Sequence, residues 1–190
     1  MKIYNSENGV SDYIKMADGH DGRAMISELQ AYLPQGATVL ELGMGPGKDL
    51  ELLAEHYDVT GSDYSSTFLD RYRAIDPDAD LMQLDAISLD TDRRFDAVYS
   101  NKVLIHLSDE DLATSILRQA HVLANGGVVI HSFWHGDFVE EYGDMTVYCR
   151  NEDYLRRALS ERFETIASRR YTELEDSDSV FVIARLRKPA

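Results

Sequence analysis

The stretch VLELGMGPGKDLELL, residues 39–53, decides the fold. Its apolar run, Val39, Leu40 and Leu42, stops at Gly43. Gly45 and Gly47 follow, and a helical spacing of leucines then begins at Leu50, Leu52 and Leu53. That is a strand, a tight glycine turn and a helix. Such a turn lets a ligand approach bare backbone, with the unpaired N–H groups of the helix start facing it. The glycines read G-x-G-x-G. The dinucleotide fingerprint G-x-G-x-x-G wants its third small residue at position 48, which is Lys48. Glu41, two residues before the first glycine, offers nothing to a pyrophosphate and complements a ligand that carries positive charge.

Four further apolar runs follow in order. YDVTGSD ends in Asp63, twenty residues after Gly43; ADLMQLDA carries Asp85-Ala86; FDAVYSN ends in Ser100-Asn101; GGVVIHSFW follows a helix. With the glycine turn, these motifs resemble, over roughly residues 37–135, those of the class I, Rossmann-like, S-adenosylmethionine (SAM)-dependent methyltransferases. The resemblance implies methyl transfer from SAM to a small-molecule acceptor, with S-adenosylhomocysteine (SAH) as product. It implies that Glu41 and the turn residues Gly43, Met44, Gly45 and Gly47 hold the methionine end. It implies Asp63 for the ribose hydroxyls and Asp85 with Ala86 for the adenine, Tyr64 packing on that base and Asn101 closing the set. It also implies an α/β fold: one doubly wound, mostly parallel sheet of seven strands in the order 3-2-1-4-5-7-6, strand 7 antiparallel, helices on both faces.

The residues themselves agree with that architecture. Met25, Ile26, Leu29 and Leu33 share one face of a helix over 22–33, which Pro34-Gln35-Gly36 ends. Strand and helix then alternate: strands 37–42, 58–63, 80–84, 95–100 and 127–132, helices 47–56, 66–75 and 109–124. This rhythm builds parallel sheets. Ser108-x-x-Asp111 opens the long helix, and Asn125-Gly126-Gly127 stops it. After a helix near 151–160 the rhythm breaks. Stretches 162–171 and 179–187 are joined only by TELEDSD, a link short enough for an antiparallel pair. A dinucleotide-binding sheet would add a sixth parallel strand instead. Residues 1–19 read as irregular and polar.

The chain has 190 residues and 44% hydrophobic content, enough for one domain with a full core. It divides into an N-terminal cover (1–34), a cofactor-binding core (37–132) and an aromatic, acidic insertion, 133–150, read as a substrate lid. Net charge is −15, from 34 acids against 19 bases, which argues against nucleic acid and anionic membrane as partners and suits a neutral or cationic acceptor. The lone cysteine, Cys149, permits no intramolecular disulfide. No signal peptide or membrane-length apolar run is present, so a cytoplasmic enzyme is expected. Self-association into a homo-oligomer stays open.

Candidate catalytic bases are His135 and His106, which follow the fifth and fourth strands. Trp134 and His135 are candidate acceptor contacts, joined by Tyr4, Tyr13 and His20 from the N-terminal cover. His131 alternates into the sheet. No metal site is expected, because a strand end does not set His131 and His135 on one face. Three other readings stay open: a noncatalytic SAM-binding partner module, an NAD-dependent oxidoreductase, and a transferase moving another group from a SAM-like donor.

Overall fold

The structure, a computed structural model, describes residues 7–16, 19, 21–143 and 145–188. Helices α1 (Glu7–Met16) and α2 (Arg23–Leu29) precede strand β1 (Thr38–Leu42). Then come α3 (Lys48–Ala54), β2 (Asp58–Asp63), α4 (Ser66–Ile75), β3 (Leu81–Gln83) and β4 (Phe95–Asn101). A 3-10 turn at Leu104–His106 leads to α5 (Asp109–Val122) and β5 (Leu123–Trp134). The chain closes with β6 (Phe138–Tyr142), β7 (Met145–Cys149), α6 (Glu152–Leu159), β8 (Phe163–Tyr171) and β9 (Ser179–Leu186).

Seven strands form one sheet in the order β3-β2-β1-β4-β5-β9-β8. β1 through β5 pair parallel; β9 runs antiparallel to both β5 and β8. The order counted along the chain differs from 3-2-1-4-5-7-6 because β6 and β7 intervene as a separate antiparallel hairpin and take two numbers. No sixth parallel strand extends the described sheet, and the antiparallel closure is the one that separates this fold from the dinucleotide-binding pattern.

Side chains alternate across the sheet and so divide into two layers. Leu40, Val98, Val129 and Val182 face one layer with Leu112, Ile116 and Leu155 of α5 and α6. Their neighbours Val39, Ala97, Val128 and Ile183 face the other with Met25, Ile26 and Leu29 of α2 and Leu53 of α3. Ser108 caps α5, its hydroxyl accepting the Asp111 N–H and donating to the Asp111 carboxylate. Asn151 caps α6 by accepting the Tyr154 N–H at 2.9 Å.

Several boundaries differ from the sequence reading, among them the end of α2, which stops at Leu29 rather than at residue 33. Residues 7–16 are helical rather than irregular, with Val10 buried. α5 ends at Val122, and β5 begins at once; Asn125-Gly126-Gly127 lies inside a register shift of that strand, with Gly126 at φ +77°. The 133–150 insertion contains a β-hairpin whose turn uses Gly143 at φ +60°.

Candidate functional site

The parallel strands end at one edge of the sheet, where open α/β sheets take ligands. Gly43, Gly45 and Gly47 all have left-handed backbone, with φ of +67°, +51° and +90°. A side chain on Gly43 would overlap Val103, and one on Gly47 would overlap the Tyr72 ring. Met44 turns its thioether into the core beside Leu50, Leu69 and Tyr72, leaving only its backbone to the turn. Glu41, at 3% exposure, lies beneath the turn, and its Oε2 has no hydrogen-bond partner. Burial, then the neighbouring Asp49 and Asp63 carboxylates, push its pKa well above the ordinary value. A buried carboxyl oxygen left unpaired is costly, and a cationic ligand group is what would satisfy it. The donor set therefore fits the ammonium-bearing methionine end of SAM.

Asp63 accepts the Gly45 N–H at 3.0 Å and the Ser65 N–H at 2.8 Å. Burial raises its pKa, and those two hydrogen bonds oppose the rise. Tyr64 beside it is 59% exposed, so its ring is no part of the core. Asp85 accepts the Ile87 N–H at 2.7 Å through Oδ1. The Ala86 carbonyl accepts from Ser115 and begins a buried relay: Gln119 donates to Ser115, His131 Nε2–H donates to Gln119 Oε1, and Ser100 donates to His131 Nδ1. Burial holds His131 at a pKa of about 3, so the ring is neutral and structural.

Asn101 is brought to the same edge, but as part of a network. Its amide donates to Asp49 at 3.0 Å, and its oxygen accepts from Ser132 at 2.5 Å. Asp49, absent from the sequence-derived set, also accepts the Gly22 N–H at 2.7 Å and the Tyr99 hydroxyl at 2.6 Å. A side chain on Gly22 would overlap both of those partners. Lys102, equally absent from the set, has left-handed backbone at φ +56°. Its ammonium lies 3.4 Å from the centroid of Trp134, 2.8 Å from Glu173 and 2.7 Å from Ser179. Burial lowers its pKa, opposed chiefly by Glu173. Trp134 is thus a wall for a cation that the chain itself supplies.

His106 and His135 are held by different partners. Nδ1 of His106 meets the Thr146 carbonyl at 3.0 Å and must be its protonated nitrogen; burial lowers the pKa. Nε2 of His135 meets Glu152 at 3.1 Å, and Arg170 holds the same carboxylate at a pKa of about 2. A cavity of about 510 Å³ opens there, lined by His135, Gly136, Asp137, Asn151, Glu152, Asp153 and Arg170, with no glycine-turn residue in it. Arg150, 3% exposed, fastens the base of the hairpin to the 3-10 turn through the Leu104 and Leu107 carbonyls and Asp109. Among the described residues no three His, Cys, Asp or Glu side chains are grouped to hold a metal ion. Tyr4 and His20 lie outside the described residues, as does the side chain of Tyr13 in α1.

The sheet order and its antiparallel closure make this the fold of solved SAM-dependent methyltransferases. Residues 39–127 match the methyltransferase domain family. Among curated proteins, trans-aconitate 2-methyltransferase of Azoarcus sp. (strain BH72) is 32% identical over 120 residues, 62% of this chain and 47% of the relative. The enzyme of that name from Methylobacterium radiotolerans is 35% identical over 108 residues, 54% of this chain and 41% of the relative. The matches therefore span less than half the length of these relatives. Among solved structures, the N-methyltransferase NodS of Bradyrhizobium japonicum WM9, bound to SAH, superposes with a TM-score of 0.76 at 16% identity, covering 97% of this chain and 100% of its own. The 1,6-didemethyltoxoflavin-N1-methyltransferase of Burkholderia thailandensis, bound to 1,6-didemethyltoxoflavin and SAH, gives 0.79 at 20% identity, covering 94% and 87%. Among the described residues no helix is long and apolar enough to cross a membrane.

Proposed function

We propose that this chain transfers a methyl group from SAM to a small-molecule acceptor by in-line displacement. One observation carries the reading: a buried, unpartnered Glu41 oxygen beneath three left-handed glycines is a place suited to a cationic group. Glu41 and the backbone of Gly43, Met44, Gly45 and Gly47 hold the methionine end. Asp63 takes the ribose hydroxyls with the lone pairs that Gly45 and Ser65 leave open. Tyr64, Asp85 and Ala86 take the adenine, and Asn101 bounds the methionine end from β4. When bound, the donor supplies a methyl group activated by its sulfonium.

The chain's own work is to orient the acceptor and exclude water. Residues 133–150, with the hairpin β6–β7, act as the lid, and Trp134 is its inner wall. Residues 1–34 serve as the N-terminal cover, with Tyr4, Tyr13 and His20 as acceptor contacts, and residues 1–190 work as one methyltransferase domain. Where the acceptor loses a proton, His106 takes it: its Nδ1–H is committed to Thr146, which leaves Nε2 as the basic nitrogen. His135 is the second candidate, held by Glu152. The acceptor is neutral or cationic. In support, the cations around these strand ends, Lys102, Arg150 and Arg170, are each already paired with a carboxylate. The proposed compartment is the cytoplasm, where a chain with one cysteine folds without a disulfide.

The test is incubation with methyl-labelled SAM and separate panels of small amines, phenols, thiols and carboxylic acids, including trans-aconitate. Label transfer to amines or neutral acceptors supports the proposal. Transfer to carboxylic acids alone overturns the acceptor charge. SAM binding with no transfer to any panel member favours the noncatalytic partner module.

A further inference from the structure

Asp49 stands in the first turn of α3, directly behind the glycine turn, and is 7% exposed. Oδ1 accepts the Gly22 N–H; Oδ2 accepts the Tyr99 hydroxyl and the Asn101 amide. Gly22 and Asn101 offer N–H groups that can only donate. Burial and Asp49 itself push the Tyr99 phenol well above its usual range, which keeps it a neutral donor. Three neutral donors on one carboxylate suit its ionised form, and among the described residues no Lys, Arg or His makes an ion pair with it.

A charge placed there is met by hydrogen-bond donors and by no ion pair, in a dry place where attraction and repulsion reach further than in water. Its influence is felt at Glu41: after burial, Asp49 is the largest influence on that carboxyl, ahead of Asp63. Glu41 in turn carries the unpartnered buried oxygen. Three carboxyl groups thus share one floor, and no ion pair between them and a described Lys, Arg or His offsets their charge.

We propose that Asp49 sets the charge selectivity of the donor site, so that cationic SAM binds more tightly than SAH. The inference rests on the reading that the methionine end lies at Glu41. SAM and SAH share adenine, ribose, ammonium and carboxylate. They differ in one methyl group and in the positive charge on sulfur. Contacts to the shared parts cannot tell them apart, and a fixed negative charge can. Asp49 need not touch either ligand, because both its oxygens are engaged by the protein; it acts through space. Methyl transfer erases the sulfonium charge, so the product is left in a site that favours what it has just ceased to be.

The experiment is calorimetric titration of the full chain with SAM, SAH and sinefungin, which carries an amine-bearing carbon in place of the methylated sulfur. Wild type is expected to bind SAM and sinefungin roughly tenfold more tightly than SAH. Asp49→Asn, which keeps the shape and removes the charge, brings the SAM-to-SAH ratio at least about threefold closer to unity. Tyr99→Phe, which removes one hydrogen bond and keeps the charge, leaves the ratio unchanged. Mere loosening of the site would weaken both ligands by one factor and spare the ratio. Wild type binding SAH as tightly as SAM, or Asp49→Asn weakening both equally, overturns the inference. If Asp49→Asn does not fold, equal wild-type affinity for sinefungin and SAH overturns it instead. Glu41→Gln separates the two readings. It weakens SAM and SAH alike if the ammonium lies there, and unchanged affinity for both removes that placement and the inference with it. A loss in Glu41→Gln with an unchanged ratio in Asp49→Asn removes the charge inference alone.

Discussion

Asp63→Ala cuts two ties at once, one inside the protein and one to the donor. In the protein it strands the Gly45 and Ser65 N–H groups, now held at 3.0 and 2.8 Å. A hydrogen bond to a charged acceptor contributes about 1.5–3 kcal/mol, and a stranded donor costs about 1–3 kcal/mol. Against that, burial penalises the Asp63 carboxylate, so its removal returns part of the loss. Water reaching the exposed side of the turn returns more. The expected net loss is about 2–3 kcal/mol. A chain of this length shifts by about 2–4 °C per kcal/mol, so Tm should fall by about 5–10 °C. The donor loses a charged acceptor for both ribose hydroxyls, and the loosened Gly45 adds to the effect. Kd for SAM should rise about 100-fold, equivalent to about 2.7 kcal/mol. Thermal melts and calorimetric titration read the two effects separately. A folded variant with unchanged Kd would refute the ribose assignment; an unchanged Tm would refute the view that Asp63 pins the glycine turn.

Glu41→Gln should stabilise the unliganded chain while weakening SAM binding. The native carboxyl holds its proton well above the ordinary value of 4.5, so wild-type stability declines as pH rises from there through the raised pKa. Urea unfolding should show the variant's advantage at pH 8 and none at pH 4.5. His131 works in the opposite direction. Its native pKa of about 3 lies below the ordinary 6.5, so stability drops by about 1.4 kcal/mol per pH unit below 6.5. His131→Gln should abolish that slope between pH 6.5 and 4; an unaltered slope in urea midpoints would count against the neutral relay. Arg150→Met strands the Leu107 carbonyl, leaves the Leu104 carbonyl with only the Leu107 N–H, and frees the base of the hairpin. A stability loss of about 3 kcal/mol is expected, with new protease cleavage within residues 138–149. Retained resistance there would mean that other contacts hold the hairpin.

The glycine turn was legible because everything that defines it lies within fifteen consecutive residues. The alternating strands and helices were legible for the same reason: their apolar periods are local. The hairpin β6–β7 carried a usable signal, Tyr142-Gly143 between two strand-like runs, which was absorbed into one lid segment. Helix α1 was hidden by its polar composition, although Val10 and Ile14 stand four apart on one face. Asp49 left no local trace. Its partners Gly22, Tyr99 and Asn101 lie 27, 50 and 52 residues away, and only the packing of α3 on the sheet assembles them. The left-handed backbone of Lys102 is equally invisible, because nothing in its neighbours requires a positive φ. Trp134 is expected from the sequence among the acceptor contacts; the cation against its ring is Lys102, which meets it only once β4 and β5 are paired.

Trp134 is the single tryptophan of the chain, and the Lys102 ammonium sits against its ring. The intrinsic emission of this protein is therefore a report from one place, under the field of one charge. Any event that lifts Lys102 away, whether release of Glu173, movement of the 172–178 loop or arrival of an acceptor, changes the local field at the indole and with it the wavelength and lifetime of the light. The protein carries its own optical gauge at the end of the sheet where the acceptor is expected, with no label to attach.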